Sequence, residues 1–179
     1  FNKREIRKMA TCFGLPVDNK PESQDFIAGG YRSLIAAAPA GPIMDKHGNT
    51  LGEHKGIPFY TIGQRKGLGI TSKEPQYVID IDSEKNAIIV GGGEELYHDE
   101  LIASGLNWIA IEKLEQPIDV KARIRYRHKE AEATVTPIDE CNVYVKFKQP
   151  QPSITPGQTV VFYQGDVVVG GGTIEKTKE

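Results

Sequence analysis

Val120-Lys121-Ala122-Arg123-Ile124-Arg125-Tyr126-Arg127 alternates apolar and basic side chains without a break. Successive residues of a β-strand point to opposite faces. A strand here puts Val120, Ala122, Ile124 and Tyr126 on one face and Lys121, Arg123, Arg125 and Arg127 on the other. Further strands are predicted at 131–137, 142–148, 159–164 and 166–174, with turns at Asp139-Glu140, Thr155-Pro156-Gly157 and Gln164-Gly165-Asp166. Short strands at such close spacing predict a small closed barrel.

Towards the N-terminus the signals change. Residues 101–111 have no clean periodicity, and Leu106, Trp108 and Ile109 are expected to anchor them in a core. Tyr77-Val78-Ile79-Asp80-Ile81 and Ala87-Ile88-Ile89-Val90, joined by a polar turn, predict a hairpin that Gly91-Gly92-Gly93 ends. Ile43-Met44 runs through a Gly48-containing turn into Thr50-Leu51. Residues 3–13 space Ile6, Met9, Ala10 and Phe13 as a helix with Gly14 as its stop, and Tyr31 to Ala38 predicts a short helix ended by Pro39. The expected class is mainly β with short helices (α+β). A small central α+β module over 39–105 is expected to precede a β-barrel over 106–179.

The composition is that of a folded chain. Of 179 residues, 39% are hydrophobic and 26% charged, and the formal net charge is -2. Any nucleic-acid binding must therefore come from local basic patches. No stretch reaches the roughly 18 apolar residues of a membrane span. The basic start, Phe1-Asn2-Lys3-Arg4, has no apolar h-region behind it, so no signal peptide and no membrane are expected. Without an initiator Met, the chain is expected to be a fragment of a longer protein. Cys12 and Cys141 have neither CxxC nor metal spacing, which predicts free thiols in a reducing cytoplasm. His47, His54, His98 and His128 are scattered and form no zinc pattern.

Two basic features invite a binding role. In Gly56-Ile57-Pro58-Phe59-Tyr60-Thr61-Ile62-Gly63-Gln64-Arg65-Lys66-Gly67-Leu68-Gly69-Ile70, glycines frame a Gln64-Arg65-Lys66 tip. A tip of that kind can hydrogen-bond and neutralise a phosphodiester backbone; it can equally be a solvated turn. The basic face of 120–127 places cations about 7 Å apart, a spacing suited to tracking phosphates. Cross-strand pairing with Glu130 and Glu132 is the alternative use of those cations. His128 and Lys129 would extend the basic surface. Ser23-Gln24-Asp25 reads as a polar loop with Asp25 as a cap, Tyr31 and Arg32 as the start of a packed helix, and Cys12 as a small buried helix residue. No GxSxG, HExxH or Walker A pattern is present, because Lys66 is followed by Gly67.

Several segments together resemble the bacterial tRNA-specific 2-thiouridylases (MnmA/TrmU family). The family's older name was tRNA (5-methylaminomethyl-2-thiouridylate)-methyltransferase. The segments are Lys20-Pro21-Glu22-Ser23-Gln24-Asp25, Gly52-Glu53-His54-Lys55-Gly56, the Gly63-Gln64-Arg65-Lys66-Gly67-Leu68-Gly69 motif and Leu106-Asn107-Trp108. Arg125-Tyr126-Arg127, Thr155-Pro156-Gly157-Gln158 and Gly170-Gly171-Gly172 complete the set, which covers essentially the whole chain in order. The resemblance implies that residues 1–38 are the tail of an N-terminal ATPase domain and a linker. It further implies that 39–105 is a tRNA-recognition domain and that 106–179 is a barrel like those of translation factors.

The implied reaction is 2-thiolation of the tRNA wobble uridine, by adenylation with ATP and Mg²⁺ and then sulfur transfer from a persulfide donor. No PP-loop signature is present, so the resemblance places the ATP and Mg²⁺ site outside this chain, with no cofactor or metal residues in it. tRNA is the implied partner, with Gln64, Arg65, Lys66, Arg123, Arg125 and Arg127 as tRNA-binding candidates. The family usually follows Ser-Gln-Asp with Ile-Cys-Phe, whose Cys carries the persulfide. Here Phe26-Ile27-Ala28 follows Asp25. No catalytic residue is therefore assigned, and the isolated chain is expected to be inactive. Whether the parent enzyme uses cysteines elsewhere, through an iron–sulfur centre for instance, or has lost activity stays open. A second reading, from another class, is a non-catalytic barrel that binds a protein partner.

Overall fold

The computed structural model describes residues 3–15, 38–126 and 128–176. Two compact units divide the chain at Ala37/Ala38. In the first, α1 (Lys3–Cys12) is the one α-helix among the described residues. Past its end, the N–H of Phe13 donates to the Met9 carbonyl and that of Leu15 to the Ala10 carbonyl, and Gly14 (φ 63) turns the chain out. Ala10 is buried, while Ile6, Met9 and Phe13 are exposed. The helix expected from Tyr31 and the Ser23-Gln24-Asp25 loop lie outside the described residues.

The second unit opens with a four-stranded sheet built from β1 (Gly41–Asp45), β2 (Thr50–His54), β3 (Tyr77–Asp82) and β4 (Ala87–Gly91), in the order β2-β1-β4-β3. The β3–β4 pair is the expected hairpin, with Val78 opposite Val90. The β1–β4 pair is parallel, an arrangement that local sequence does not announce. Ile43, Val78, Ile88 and Val90 form its core, and Leu68 from the long loop before β3 completes it. Ile57, Tyr60, Ile62 and Ile70 pack against that cluster, so the 56–70 segment is fastened at four points around Leu68.

A closed six-stranded barrel follows. Its strands are β5 (Tyr97–Trp108), β6 (Ile118–Arg123), β7 (Ala131–Pro137), β8 (Val143–Pro152), β9 (Thr159–Gln164) and β10 (Val167–Lys176), in the order β10-β5-β8-β7-β6-β9. Every pair is antiparallel. Inward residues follow the period of two: Val143, Val145 and Phe147 on β8, Val120 and Ala122 on β6, and Val160 and Phe162 on β9 are buried in one cluster. Gly170, Gly171 and Gly172 let β10 pass between its neighbours. A Cβ at Gly170 would come within 2.5 Å of Trp108, and one at Gly172 within 2.6 Å of the Ser104 carbonyl. Mainly β architecture with a short helix, a small sheet module and a barrel is the class expected from the sequence.

Four local expectations need correction. The strand predicted over 120–127 ends at Arg123, because Ile124 caps the core and the chain then leaves the sheet. Tyr126 accordingly does not join the inward row. The barrel's first strand begins at Tyr97, so a boundary at 106 falls inside β5. Ile109 is 66% exposed, although Leu106 and Trp108 do pack on the core.

Candidate nucleic-acid interface

The 56–70 loop is held from within. His54 is 1% exposed, and its Nδ1 accepts the Gly56 N–H at 3.0 Å while its Nε2 lies 2.8 Å from the Asn86 carbonyl. An acceptor on one ring nitrogen and a carbonyl facing the other select the neutral Nε2–H tautomer. Further along, Gly63 donates to the Val78 carbonyl (2.8 Å) and Val78 donates to the Gln64 carbonyl (2.9 Å), so the loop zips onto the start of β3. The Gln64 side chain closes the tip. Its Oε1 accepts the Thr61 N–H (3.2 Å) and its Nε2 donates to the Lys66 carbonyl (3.0 Å). Gln64 thus shapes the turn, and Arg65 and Lys66 are the side chains it displays. Both are exposed, and neither joins an ion pair among the described residues.

Gly63 needs its missing side chain. Its φ is 84, and a Cβ there would lie 2.6 Å from Ser153 Oγ. Ser153, which follows β8, itself has a positive φ of 54 and donates its N–H to the Leu96 carbonyl. This contact seats the loop against the barrel.

The second basic stretch divides between wall and tip. On β6, Arg123 donates to Glu130 at 2.6 Å and lies 5.4 Å above the Tyr163 ring. Its charge is therefore matched at home, which is the cross-strand use anticipated for this strand. Opposite Lys121 stands Glu132, whose carboxyl the Lys148 ammonium at 2.9 Å holds below its usual range. Arg125 is exposed beyond the strand's end, and Arg127 lies outside the described residues. The His128 N–H donates to the Arg125 carbonyl at 3.0 Å, closing a turn. Burial, with the Arg125 charge as a lesser cause, lowers the His128 imidazole pKa against the opposing hydrogen bond to the Lys129 carbonyl.

Topology brings the two loops to one end. β6 runs antiparallel to β7, and β7 to β8, so the β6–β7 connection and the C-terminal end of β8 share an end of the barrel. Ser153 stands at that end and carries the Gly63 turn. The connections at the opposite end, residues 109–117, 138–142 and 165–166, carry Glu112, Glu115, Asp139, Glu140 and Asp166 against Lys113 alone. That end is net acidic, while the end with Arg125 and Lys129 also carries Glu94, Glu95 and Glu130, of which Glu95 is paired with Lys46 and Glu130 with Arg123.

Both cysteines are exposed. Cys12 is thus not the buried helix residue expected, and Cys141 sits in the β7–β8 turn with its N–H on Asp139. Among the described residues, no three His, Cys, Asp or Glu side chains converge as metal ligands. A recess of ≈ 680 Å³ beside the small sheet is crossed by the Lys46–Glu95 ion pair, which holds the Glu95 carboxyl below its usual range. No described helix is long and apolar enough to cross a membrane. Sequence reasoning missed the Gln64 clamp, the His54 hub and the outward Tyr126, since each depends on neighbours that only folding supplies.

Residues 98–174 match the family described as the aminomethyltransferase beta-barrel domain, and residues 31–92 match the tRNA methyl transferase PRC-barrel domain. The chain is 50% identical over 184 residues to a protein of Thermoanaerobacter pseudethanolicus named tRNA-specific 2-thiouridylase MnmA 1, covering 98% of this chain and 50% of that protein. Identity is 52% over 184 residues to the protein of the same name from Caldanaerobacter subterraneus subsp. tengcongensis, with coverages of 98% and 50%. It is 48% over 187 residues to the tRNA-specific 2-thiouridylase MnmA of Halothermothrix orenii, with 98% and 51% covered. The chain spans about half the length of the curated relatives it matches.

Proposed function

Because the chain belongs to the family of tRNA-specific 2-thiouridylases, we propose that it is the tRNA-binding C-terminal part of such an enzyme. The whole enzyme would 2-thiolate the wobble uridine by ATP-dependent adenylation and sulfur transfer from a persulfide donor protein, in the cytoplasm. ATP and Mg²⁺ would bind in the half of the protein this chain lacks, and the chain alone would not thiolate. What it contributes is a grip on the RNA.

The observation that carries this reading is the gathering of Arg65, Lys66, Arg125 and Lys129 on loops at one barrel end, with acidic connections at the other. The exposed cations can attract phosphates, and the acidic connections at the far end offer them no such contact. Arg123 serves differently, bracing the wall beneath the tip through Glu130 and Tyr163.

Binding of a tRNA transcript by the chain, followed by fluorescence anisotropy over a range of salt, tests the reading. Arg65→Ala/Lys66→Ala should weaken binding and reduce the salt slope by about 1 per residue removed. Unchanged affinity would remove these two residues from the interface.

A further inference from the structure

At the acidic end of the barrel, the connection from β5 to β6 leaves a recess against the β7–β8 turn. The recess measures ≈ 580 Å³, and Leu106, Trp108, Leu114, Pro137, Ile138 and Val143 supply its apolar walls. Leu106, Trp108 and Leu114 also pack on the barrel core, so the fold itself fixes this floor. Ile138 is nonetheless 52% exposed, and at the same end Ile109, just after β5, and Val167, at the start of β10, are 66% and 54% exposed. Single exposed apolar residues are ordinary, but three at the end that holds an apolar recess mark a surface that gains from being covered. The turn carrying Ile138 is preset for contact. The Asp139 carboxylate accepts the N–H groups of Cys141 and Asn142, each at 2.8 Å, and the Ile138 N–H donates to the Asn142 carbonyl at 3.0 Å. Around this surface Glu112, Glu140 and Asp166 are exposed and join no ion pair among the described residues, whereas Glu115 is paired with Lys113 at 2.6 Å.

We infer that this end of the barrel is a docking surface for a basic segment of a partner protein. The segment sets apolar side chains into the recess beside Ile138, while its Lys and Arg side chains meet Glu112, Glu140 and Asp166. Charge complementarity decides the occupant. RNA and anionic lipid headgroups carry the same sign as the rim and are repelled by it. A small molecule filling the recess would leave Ile109, Val167 and Asp166 uncovered, since none of the three lines it. A second copy pairing this face with itself would set one acidic rim against another, and like charges opposed across an interface cost affinity. The preset turn favours binding, because little ordering remains to be done when the segment arrives. The inference does not depend on the tRNA reading, for Arg65, Lys66 and Arg125 belong to the other end of the barrel.

The probe is a synthetic peptide of about 14 residues with Leu at i, i+3, i+4 and i+7 and Lys elsewhere, the pattern of a helix that lays an apolar face in a groove. One control peptide keeps the Leu residues and exchanges Lys for Glu; the other keeps Lys and exchanges Leu for Ser. Each is titrated into the isotope-labelled full chain and followed by amide shifts and fluorescence anisotropy. The Leu–Lys peptide should bind saturably, with shifts centred on residues 106–115 and 137–143. Both controls should bind at least about tenfold more weakly, as should Ile138→Asp and Glu112→Lys/Glu140→Lys with the Leu–Lys peptide. The charge variant should also flatten the salt dependence. Arg65→Ala/Lys66→Ala should bind the peptide as wild type does, whatever its effect on tRNA. Thermal melts confirm that the variants fold. No saturable binding, equal binding of the Glu peptide, shifts centred elsewhere, or unchanged affinity in both Ile138→Asp and Glu112→Lys/Glu140→Lys would overturn the proposal. So would sedimentation of the wild-type chain as a dimer that Ile138→Asp converts to a monomer, because a second copy would then be the occupant.

Discussion

The buried imidazole of His54 accepts the backbone N–H of Gly56 at 3.0 Å and, through its other nitrogen, reaches the Asn86 carbonyl at 2.8 Å. One side chain thus joins the end of β2, the entry to the 56–70 loop and the β3–β4 turn. Removing it strands a buried donor and a buried acceptor and leaves a cavity beside Tyr60, whose ring meets it edge-on at 5.8 Å. His54→Ala should destabilise the fold by about 2–4 kcal/mol, read from denaturant melts. His54→Gln, which can accept and donate, should recover part of the loss.

A methyl group at Gly63 meets Ser153 and is also strained by the backbone's positive φ. Gly63→Ala should therefore cost stability and displace the Arg65–Lys66 tip. Ser153→Gly removes the obstructing hydroxymethyl group, so the double variant should be more stable than additivity predicts, by about 1 kcal/mol. A coupling near zero in the four-variant melt cycle would mean that the loop does not rest on the barrel at this point.

Arg123 and Arg125 are two residues apart but should behave differently. Arg123 spends its charge on Glu130 and its plane on Tyr163. Arg123→Ala should lower the melting temperature and change the salt slope of RNA binding little. Arg125→Ala should leave the melt intact and reduce that slope by about 1. Paired melting and anisotropy measurements check both.

Since burial lowers the folded-state pKa of His128, the folded chain resists its protonation while the unfolded chain does not. Stability is then full above the unfolded value of 6.5 and is lost as pH falls below it towards the folded pKa. Wild type should lose more melting temperature than His128→Gln between pH 7.5 and pH 5 (about 2.5 pH units, spanning the transition). The difference should be small, because the ring is only partly covered.

Much of the architecture is legible in the chain. Alternation on β7, β8 and β9 marks the barrel strands because period-two patterning is local, and the 77–90 hairpin announces itself in the same way. The basic loop is legible too, since glycines bracketing charge are visible without any partner. The parallel β1–β4 pair is not, because it joins segments some forty residues apart with no turn between them to mark it.

The roles of the individual charges were decided in three dimensions. By itself, the sequence determined the barrel, the 77–90 hairpin and the presence of two basic stretches, all of which follow from residue type and spacing. The alternation over 120–127 promised four equivalent cations and an inward tyrosine. Tertiary structure ended the strand at Arg123, paired that arginine with Glu130 and put Tyr126 out on the tip. It likewise turned Gln64 inward as a clamp and left Arg65 and Lys66 displayed. The reason is the range of the interactions. Periodicity records which face of its own strand a residue occupies, whereas the availability of a charge depends on what the closing barrel sets beside it.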